Sequence, residues 1–429
     1  MVDPGTPLRV GLLGFGTVGE GTYRMLIENA EEILTKVGVP FEVSRIGIRD
    51  TAKARSVPEA MLTTDLRSIC TDPNIDVVIE LIGGLDPAAE LVELALDSGK
   101  HVVTANKELI AKHGSRLITK ARNLGLDLHF EAAVGGGIPI VQPLKHQLAG
   151  NDIVKMMGIL NGTTNYILTK MRVEGAEFAD ALAEAQAAGY AEADPTNDVD
   201  GFDTMYKIAV LAAIAFGKQV PLDAIHREGI RAVGATDMHY ADVLGYAIRL
   251  LGIVEEIEPG QIMVRVHPTL IPKDHPLAAV HDVYNAVWLH GDFVGDLMFS
   301  GRGAGAHPTA SAVVGDLIDV GRNIQIGGTG SAIPYGEDMR VAPIETLETK
   351  YYVRLQVVDR PNTLGQIATV FGKYGVGLAA MEMRTLVGGL GEIVFLTHVS
   401  NEQAFTQALG EVSRLSVIDA VMNWMRAEG

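Results

Sequence analysis

The stretch Leu8–Gly21, LRVGLLGFGTVGEG, decides how the rest of the chain reads. LRVGLLG is an apolar run of strand length, and TVGEGTYRMLIENAEEILTKVG after it carries apolar residues at helical spacing. Between them lies G-x-G-x-x-G at Gly14, Gly16 and Gly19. With 48 glycines in the chain the pattern alone says little, and its place between a strand and a helix gives it content. There Gly14 permits a tight turn, Gly16 lets backbone approach a pyrophosphate, and Gly19 lets the helix pack close to the strand. The helix start offers amide donors and a positive dipole end to phosphates. Gly14, Phe15, Gly16, Thr17, Val18 and Gly19 are therefore candidate cofactor contacts.

Working outward, VSRIGIRD, DVVIELIGG and HVVTANK are further strand candidates, with the helix-like AAELVELALDSG between the last two. That order predicts an α/β, Rossmann-type parallel sheet with crossover helices. The second strand ends in Arg49 and Asp50, with Lys53 close by. A carboxylate there would hold the ribose 2′-hydroxyl of NAD, and cations suit the 2′-phosphate of NADP. Two cations against one anion favour NADP and leave NAD open. Thr104 and Lys107, in TANKEL, fall at the carboxyl end of a strand, the edge where open α/β sheets bind ligands. From position alone Lys107 faces a cofactor or opens the next helix as a surface lysine.

After LHFEAAVGGGIPI the pattern changes to a mixed α+β region with several apolar or amphipathic helices. GAHPTASAVVGDLIDVG, near 302–320, reads as a Pro-led helix with a Gly stop, and Ile324 to Pro343 as a loop. The last eighty residues order as βαββα with a final strand at VIDAVMNWMR, a ferredoxin-like module.

Charge and composition exclude several classes. Lys and Arg number 35 against 53 Asp and Glu, a formal charge of −18, so neither nucleic acid nor an anionic membrane is the expected partner. The longest strongly apolar run, Ile208 to Phe216, is half a membrane span, and no basic-then-apolar secretory signal is visible at the start. A single cysteine, Cys70, leaves no disulfide framework or cysteine metal cluster. A soluble cytoplasmic protein is expected.

GYAEADPTNDVDGFDTMYK, Gly189–Lys207, sets a lysine among carboxylates just before the apolar IAVLAAIAFG. A helix starting near Asp200, capped by Asp or Gly, puts Asp203 and Lys207 on one face at i and i+4. Partial burial and the helix dipole depress the lysine pKa, while Asp203 raises it. The lysine then either transfers protons or forms an ordinary i,i+4 salt bridge worth a few tenths of a kcal/mol. A divalent metal on the carboxylates is a further reading, although Pro195 and the irregular spacing do not match an EF-hand loop.

GLLGFGTVG, TANKEL, EAAVGGGIPI, GILNGTTNYIL, the acidic segment and GRGAGAHPTASAVVGDL together resemble homoserine dehydrogenase of the monofunctional bacterial type with a C-terminal ACT domain. The acidic segment is the most specific match. The resemblance implies NAD(P)H-dependent interconversion of aspartate 4-semialdehyde and homoserine, on the route to threonine and methionine. It implies Lys207 as the proton donor and acceptor, Lys107 as a second lysine between nicotinamide and substrate, and Glu192, Asp198 and Asp203 as residues that hold the amino end or position the lysine. Gly162 and Thr163 would contact the substrate carboxylate, and Gly303 the nucleotide. A monovalent cation, usually sodium, would use Glu131 and carbonyls of Val134, Gly136 and Ile138. The implied division is residues 1–133 with a returning segment near 303–345 for the nucleotide, 134–320 for substrate and dimerisation, and 349–429 as the ACT domain. Threonine feedback and a homodimer or homotetramer belong to the same implication. DRPNTLGQIA departs from the usual ACT pattern in having Asn362 in place of glycine, a residue that tolerates left-handed backbone.

A phosphorylating semialdehyde dehydrogenase would act on the same aldehyde and needs a thiolate, for which Cys70 is the one candidate. A non-enzymatic nucleotide and amino-acid sensor would have no use for Lys207 or Asp203.

Overall fold

The computed structural model describes residues 6–50, 53, 55–330 and 338–429, in two compact units. The first comprises 1–156, 206–222 and 285–339; the second, 157–205, 223–284 and 340–429.

The first unit holds a six-stranded parallel sheet. Its elements in chain order are β1 (Leu8–Leu13), α1 (Thr17–Glu28), α2 (Ala30–Val37), β2 (Phe41–Gly47), β3 (Leu62–Thr63), α3 (Leu66–Thr71), β4 (Val77–Glu80), α4 (Ala88–Asp97), β5 (His101–Thr104), α5 (Lys107–Asn123) and β6 (Leu128–His129). The spatial order β3-β2-β1-β4-β5-β6 reverses direction between β1 and β4, and an open parallel sheet binds its ligand at such a switch point. Val10, Leu12, Val77 and Ile79 are fully buried, as expected of central strands covered on both faces. The single helix expected after Gly16 divides at Asn29, whose N–H still bonds to the Met25 carbonyl.

Two glycines are set by packing. A Cβ at Gly19 would collide with the carbonyl of Gly14, so α1 lies against the turn only with glycine there. Gly321, expected to stop its helix, lies inside it, and the helix runs Ala306–Ile326 to Gly327 at φ +67. Gly321 is needed because a Cβ would press on Phe41 and Val37.

A buried ionic cluster lies beyond β6. His129 is 7% exposed, with Nε2 3.7 Å from Asp127 Oδ1 and Nδ1 3.6 Å from Asp316 Oδ1. Burial by itself pushes the imidazolium down, but the two carboxylates outweigh it and hold the ring up at about 9. A raised folded-state pKa stabilises below the unfolded value of 6.5 and loses that contribution as pH rises through about 9. Calorimetric melting from pH 6 to 10 should therefore cost the wild type more stability than His129→Gln, so that the two curves converge at high pH. A constant gap between them contradicts the ionised arrangement.

In the second unit Tyr246–Glu258 and Gln261–Pro272 form a long antiparallel hairpin. The C-terminal region is βαββαβ: strands Glu348–Val358, Leu378–Thr385, Leu390–Thr397 and Ile418–Ala427, with helices Thr363–Lys373 and Glu402–Val412. Its spatial order sets the first strand between the last and the third, with the second outermost, the ferredoxin-like order expected from the sequence. The module is not separate from its surroundings, because Arg426 and Ala427 continue the sheet onto Thr269 and Leu270 of the hairpin. Asn362 has φ +68, the left-handed geometry asparagine tolerates.

The segment expected as a loop, Ile324 to Pro343, ends the long helix at Ile326 and forms a short strand at Arg340–Val341; residues 331–337 lie outside the described residues.

Candidate active site

The carboxyl ends of β1, β4 and β5 open onto a cleft of about 280 Å³ in the first unit. Val18, Gly83, Lys107, Gly136, Lys207 and Gly303 are among the residues that line it. The cleft is built by side-chain capping. Glu80, fully buried at the end of β4, accepts from Ile82 N (2.7 Å), Gly83 N (3.1 Å) and Thr104 Oγ1 (2.6 Å). That carboxylate holds the 81–83 wall in place. Asn106 caps α5, with Oδ1 accepting from Leu109 N, and its amide donates to Gly84 O at 2.6 Å. Lys107 is thereby fixed as the first residue of α5, half-buried and among the residues that line the cleft. Thr104 is fully buried and its hydroxyl is committed to Glu80, so it supports the cleft and does not line it.

Beside it, a hollow of about 580 Å³ opens over the start of α1. Phe15, Gly16 and Thr17 line it, together with Arg24, Lys53 and Arg55. Arg55 Nε is buried without a hydrogen-bond partner among the described residues. Arg49, expected here, is exposed and is not among the residues that line the hollow. Arg24 and Arg55 were missed: Arg24 reads as an ordinary solvent-facing helix residue, and Arg55 lies beyond the strand end where a 2′-phosphate ligand is normally sought.

The helix carrying Lys207 is Phe202–Phe216, and the short helix Thr196–Val199 precedes it. The start expected at Asp200 is displaced by Gly201, at φ +82. Asp203 and Lys207 are 6% and 9% exposed, so the pair lies away from bulk solvent. Asp200 pairs instead with Arg231, and Asp194 accepts from Thr196 N in a turn, so both serve chain geometry. Glu192 is exposed, and Asp198 half-buried.

In the second unit the segment NGTTN opens a helix, Gly162–Glu174, with Asn161 as its cap. Thr163 is buried and its hydroxyl donates to the Tyr190 carbonyl at 2.6 Å. The Asn161 amide reaches both Asp198 and Asp203, at 2.7 and 2.9 Å. This residue was not singled out in the sequence, where it reads only as a helix cap.

The turn Glu131–Ile138 places Gly135 and Gly136 at φ +74 and +56. A Cβ on Gly136 would collide with the Gly303 carbonyl, so glycine brings this turn against the segment that closes the cleft. The Glu131 carboxylate is spent on the amides of Ile140, Val141 and Gln142 at 2.7–2.9 Å. The Glu131 main-chain carbonyl accepts from Val134 N at 3.3 Å. Among the described residues the buried carbonyls of Val134, Gly136 and Ile138 accept no backbone hydrogen bond, an oxygen donor set that suits a hard cation. No group of three or more His, Cys, Asp or Glu side chains there could hold a metal ion. Cys70 is buried on α3, and burial pushes its thiol up to about 11, which leaves no thiolate for thioester chemistry. No helix among the described residues is long and apolar enough to cross a membrane.

A dinucleotide at this switch point would bring its reactive end toward a cleft lined by two lysines, groups able to place a proton or positive charge beside a substrate oxygen. The fold and cleft define a nicotinamide-nucleotide-dependent oxidoreductase. Residues 14–131 match the family model for the homoserine dehydrogenase NAD-binding domain, and residues 139–318 match that for homoserine dehydrogenase. The chain belongs to the homoserine dehydrogenase family. It is 45% identical to homoserine dehydrogenase of Synechocystis sp. over 98% of this chain and 99% of that one, and 41% identical to that of Bacillus subtilis over 98% of each. The crystal structure of a homoserine dehydrogenase from Thiobacillus denitrificans superposes with a TM-score of 0.94 at 42% identity, covering 100% of this chain and 99% of that one.

Proposed function

We propose that the chain interconverts L-homoserine and L-aspartate 4-semialdehyde with NADP, using Lys207 as acid and base and Lys107 as a second cation at the reacting oxygen. The observation that carries this is that Lys107 and Lys207, a hundred positions apart, line one cleft beside the dinucleotide turn. NADP, when bound across the glycine turn, would supply the acceptor for hydride leaving the homoserine carbinol carbon and, as NADPH, its donor to the aldehyde carbon. Neutral Lys207 takes the hydroxyl proton in the oxidative direction, and its ammonium form returns that proton to the oxygen in reduction. Lys107 stabilises negative charge on the same oxygen. Glu192 and Asp198 hold the substrate ammonium, and Asp203 sets the orientation and charge of Lys207. The amides at Gly162 and Thr163, at a helix start, suit the substrate carboxylate. Gly303 closes over the nucleotide.

NADP is favoured over NAD because Arg24, Lys53 and Arg55 converge over the start of α1. A hyperthermophilic archaeal homoserine dehydrogenase, 28% identical and covering 73% of this chain with a TM-score of 0.64, has been solved with NADPH. The double substitution Lys53→Ala, Arg55→Ala should raise KM for NADP by about tenfold or more by removing charge-assisted contacts to the 2′-phosphate. KM for NAD should change little; equal losses with both nucleotides would contradict the assignment.

The division into a nucleotide region (1–133, with 303–345 returning), a substrate and dimerisation region (134–320) and an ACT module (349–429) belongs to this reading. So do a sodium-type cation at the 131–138 carbonyls, a homodimer or homotetramer, and threonine as effector of the C-terminal module. A hollow of about 410 Å³ beside Asp359 and Asn362 has room for an amino acid. Nicotinamide absorbance with homoserine and NADP, then NAD, then added threonine, tests each part in turn. No turnover with either nucleotide removes the enzymatic reading, and turnover indifferent to millimolar threonine removes the effector.

A further inference from the structure

We infer that Asn161 is a positioning residue for the reaction, holding Asp198 and Asp203 in one arrangement; the inference rests on the substrate and lysine roles proposed above. Every polar group of its side chain is committed. The amide nitrogen donates to Asp198 Oδ1 at 2.7 Å and to Asp203 Oδ2 at 2.9 Å. The carbonyl oxygen accepts from Thr164 N at 2.8 Å as the cap of the Gly162–Glu174 helix. Asn161 is 6% exposed, so these bonds form away from bulk water.

Two carboxylates drawn to one nitrogen repel each other, and a donor between them offsets that repulsion. A primary amide has two N–H groups and an acceptor, which matches the three demands here: two carboxylates and one helix amide. Serine and aspartate cap a helix about as well as asparagine but cannot donate to two carboxylates. The cap anchors the amide to a rigid element, and the amide in turn fixes two residues from different segments. Asp203 lies one turn before Lys207 on its own helix, and Asp198 lies in the preceding short helix, Thr196–Val199. The same side chain thus sets the anchor for the substrate ammonium and the partner of the proton-transferring lysine. It also ties both to the helix start that faces the substrate carboxylate.

The test uses cap-preserving variants of the full chain, Asn161→Ser and Asn161→Asp, in homoserine oxidation with NADP. Hydrogen bonds to charged groups are each worth a factor of ten or more, so N161S should raise KM for homoserine about tenfold and lower kcat about tenfold. N161D, which sets a third carboxylate against the first two, should lose about a thousandfold in kcat/KM. KM for NADP and the melting temperature should stay near wild type in both. Wild-type constants in either variant, or loss of activity in both only in step with unfolding, would reduce Asn161 to a cap and overturn the inference. Absence of turnover in the wild type would instead remove the functional reading. Crystal structures of N161S and wild type then decide the placement alone: parted carboxylates support it, unmoved ones overturn it.

Discussion

Lys207→Ala lowers kcat for homoserine oxidation about a thousandfold, within the usual range for removal of a positioned acid–base group, while the dissociation constant for NADP changes less than about threefold. The expectation comes from where the lysine stands. It is 9% exposed on a helix whose following residues Ile208, Leu211 and Ala212 are buried, and it lines the cleft at the switch point. Asp203 stands one turn earlier on the same helix and is 6% exposed. Lys207→Arg is the sharper variant, because it keeps the positive charge and the bulk but cannot surrender a proton near neutral pH. It should lose kcat nearly as severely as alanine. Near-normal kcat in K207R would show that only the charge matters, and near-normal kcat in K207A would remove the assignment altogether.

Asp237→Ala destabilises the second unit by about 3–5 kcal/mol, the usual cost of removing one partner from a buried ion pair. Asp237 is fully buried and accepts four hydrogen bonds: from Arg354 Nε (2.7 Å), Tyr352 OH (3.0 Å), Asn423 Nδ2 (2.8 Å) and Gly234 N (3.0 Å). Removing it strands a phenol, an amide and part of a guanidinium away from water. Arg354 retains Glu392 at 3.2 Å, which keeps the cost from rising further. Urea unfolding followed by circular dichroism reads the loss, and Asp237→Asn should recover part of it, since it keeps an acceptor of the same shape. A change under about 1 kcal/mol for D237A would mean that the network contributes little net stability. These donors join the Ala235–Val243 helix to strands Glu348–Val358 and Ile418–Ala427, so the same variant reports whether the C-terminal module depends on that helix.

The two sites differ in how much of them the sequence exposes. Lys207 could be found because its neighbours in sequence are its neighbours in space: Asp203 is one helical turn away and the buried run follows directly. Asp237 could not be, since Tyr352, Arg354 and Asn423 lie 115 to 186 positions away and none of the three sits at a spacing that a helix or strand repeats.

The glycine turn, the alternation of strands and helices and the βαββαβ order of the last eighty residues were determined by the sequence by itself, because each depends on periodicity and turn chemistry within about thirty residues. The acidic segment, matched along its length, was enough to indicate the family. Tertiary structure decided which polar groups meet. It put Lys107 and Lys207 on one cleft, moved the cationic hollow from Arg49 to Arg24 and Arg55, spent the Glu131 carboxylate on three amides, made Gly321 a packing residue within its helix, and set Asn161 between two aspartates. Each outcome depends on where separate segments cross, and crossing is fixed by burial of apolar faces that leaves no periodic mark on the polar residues it brings together.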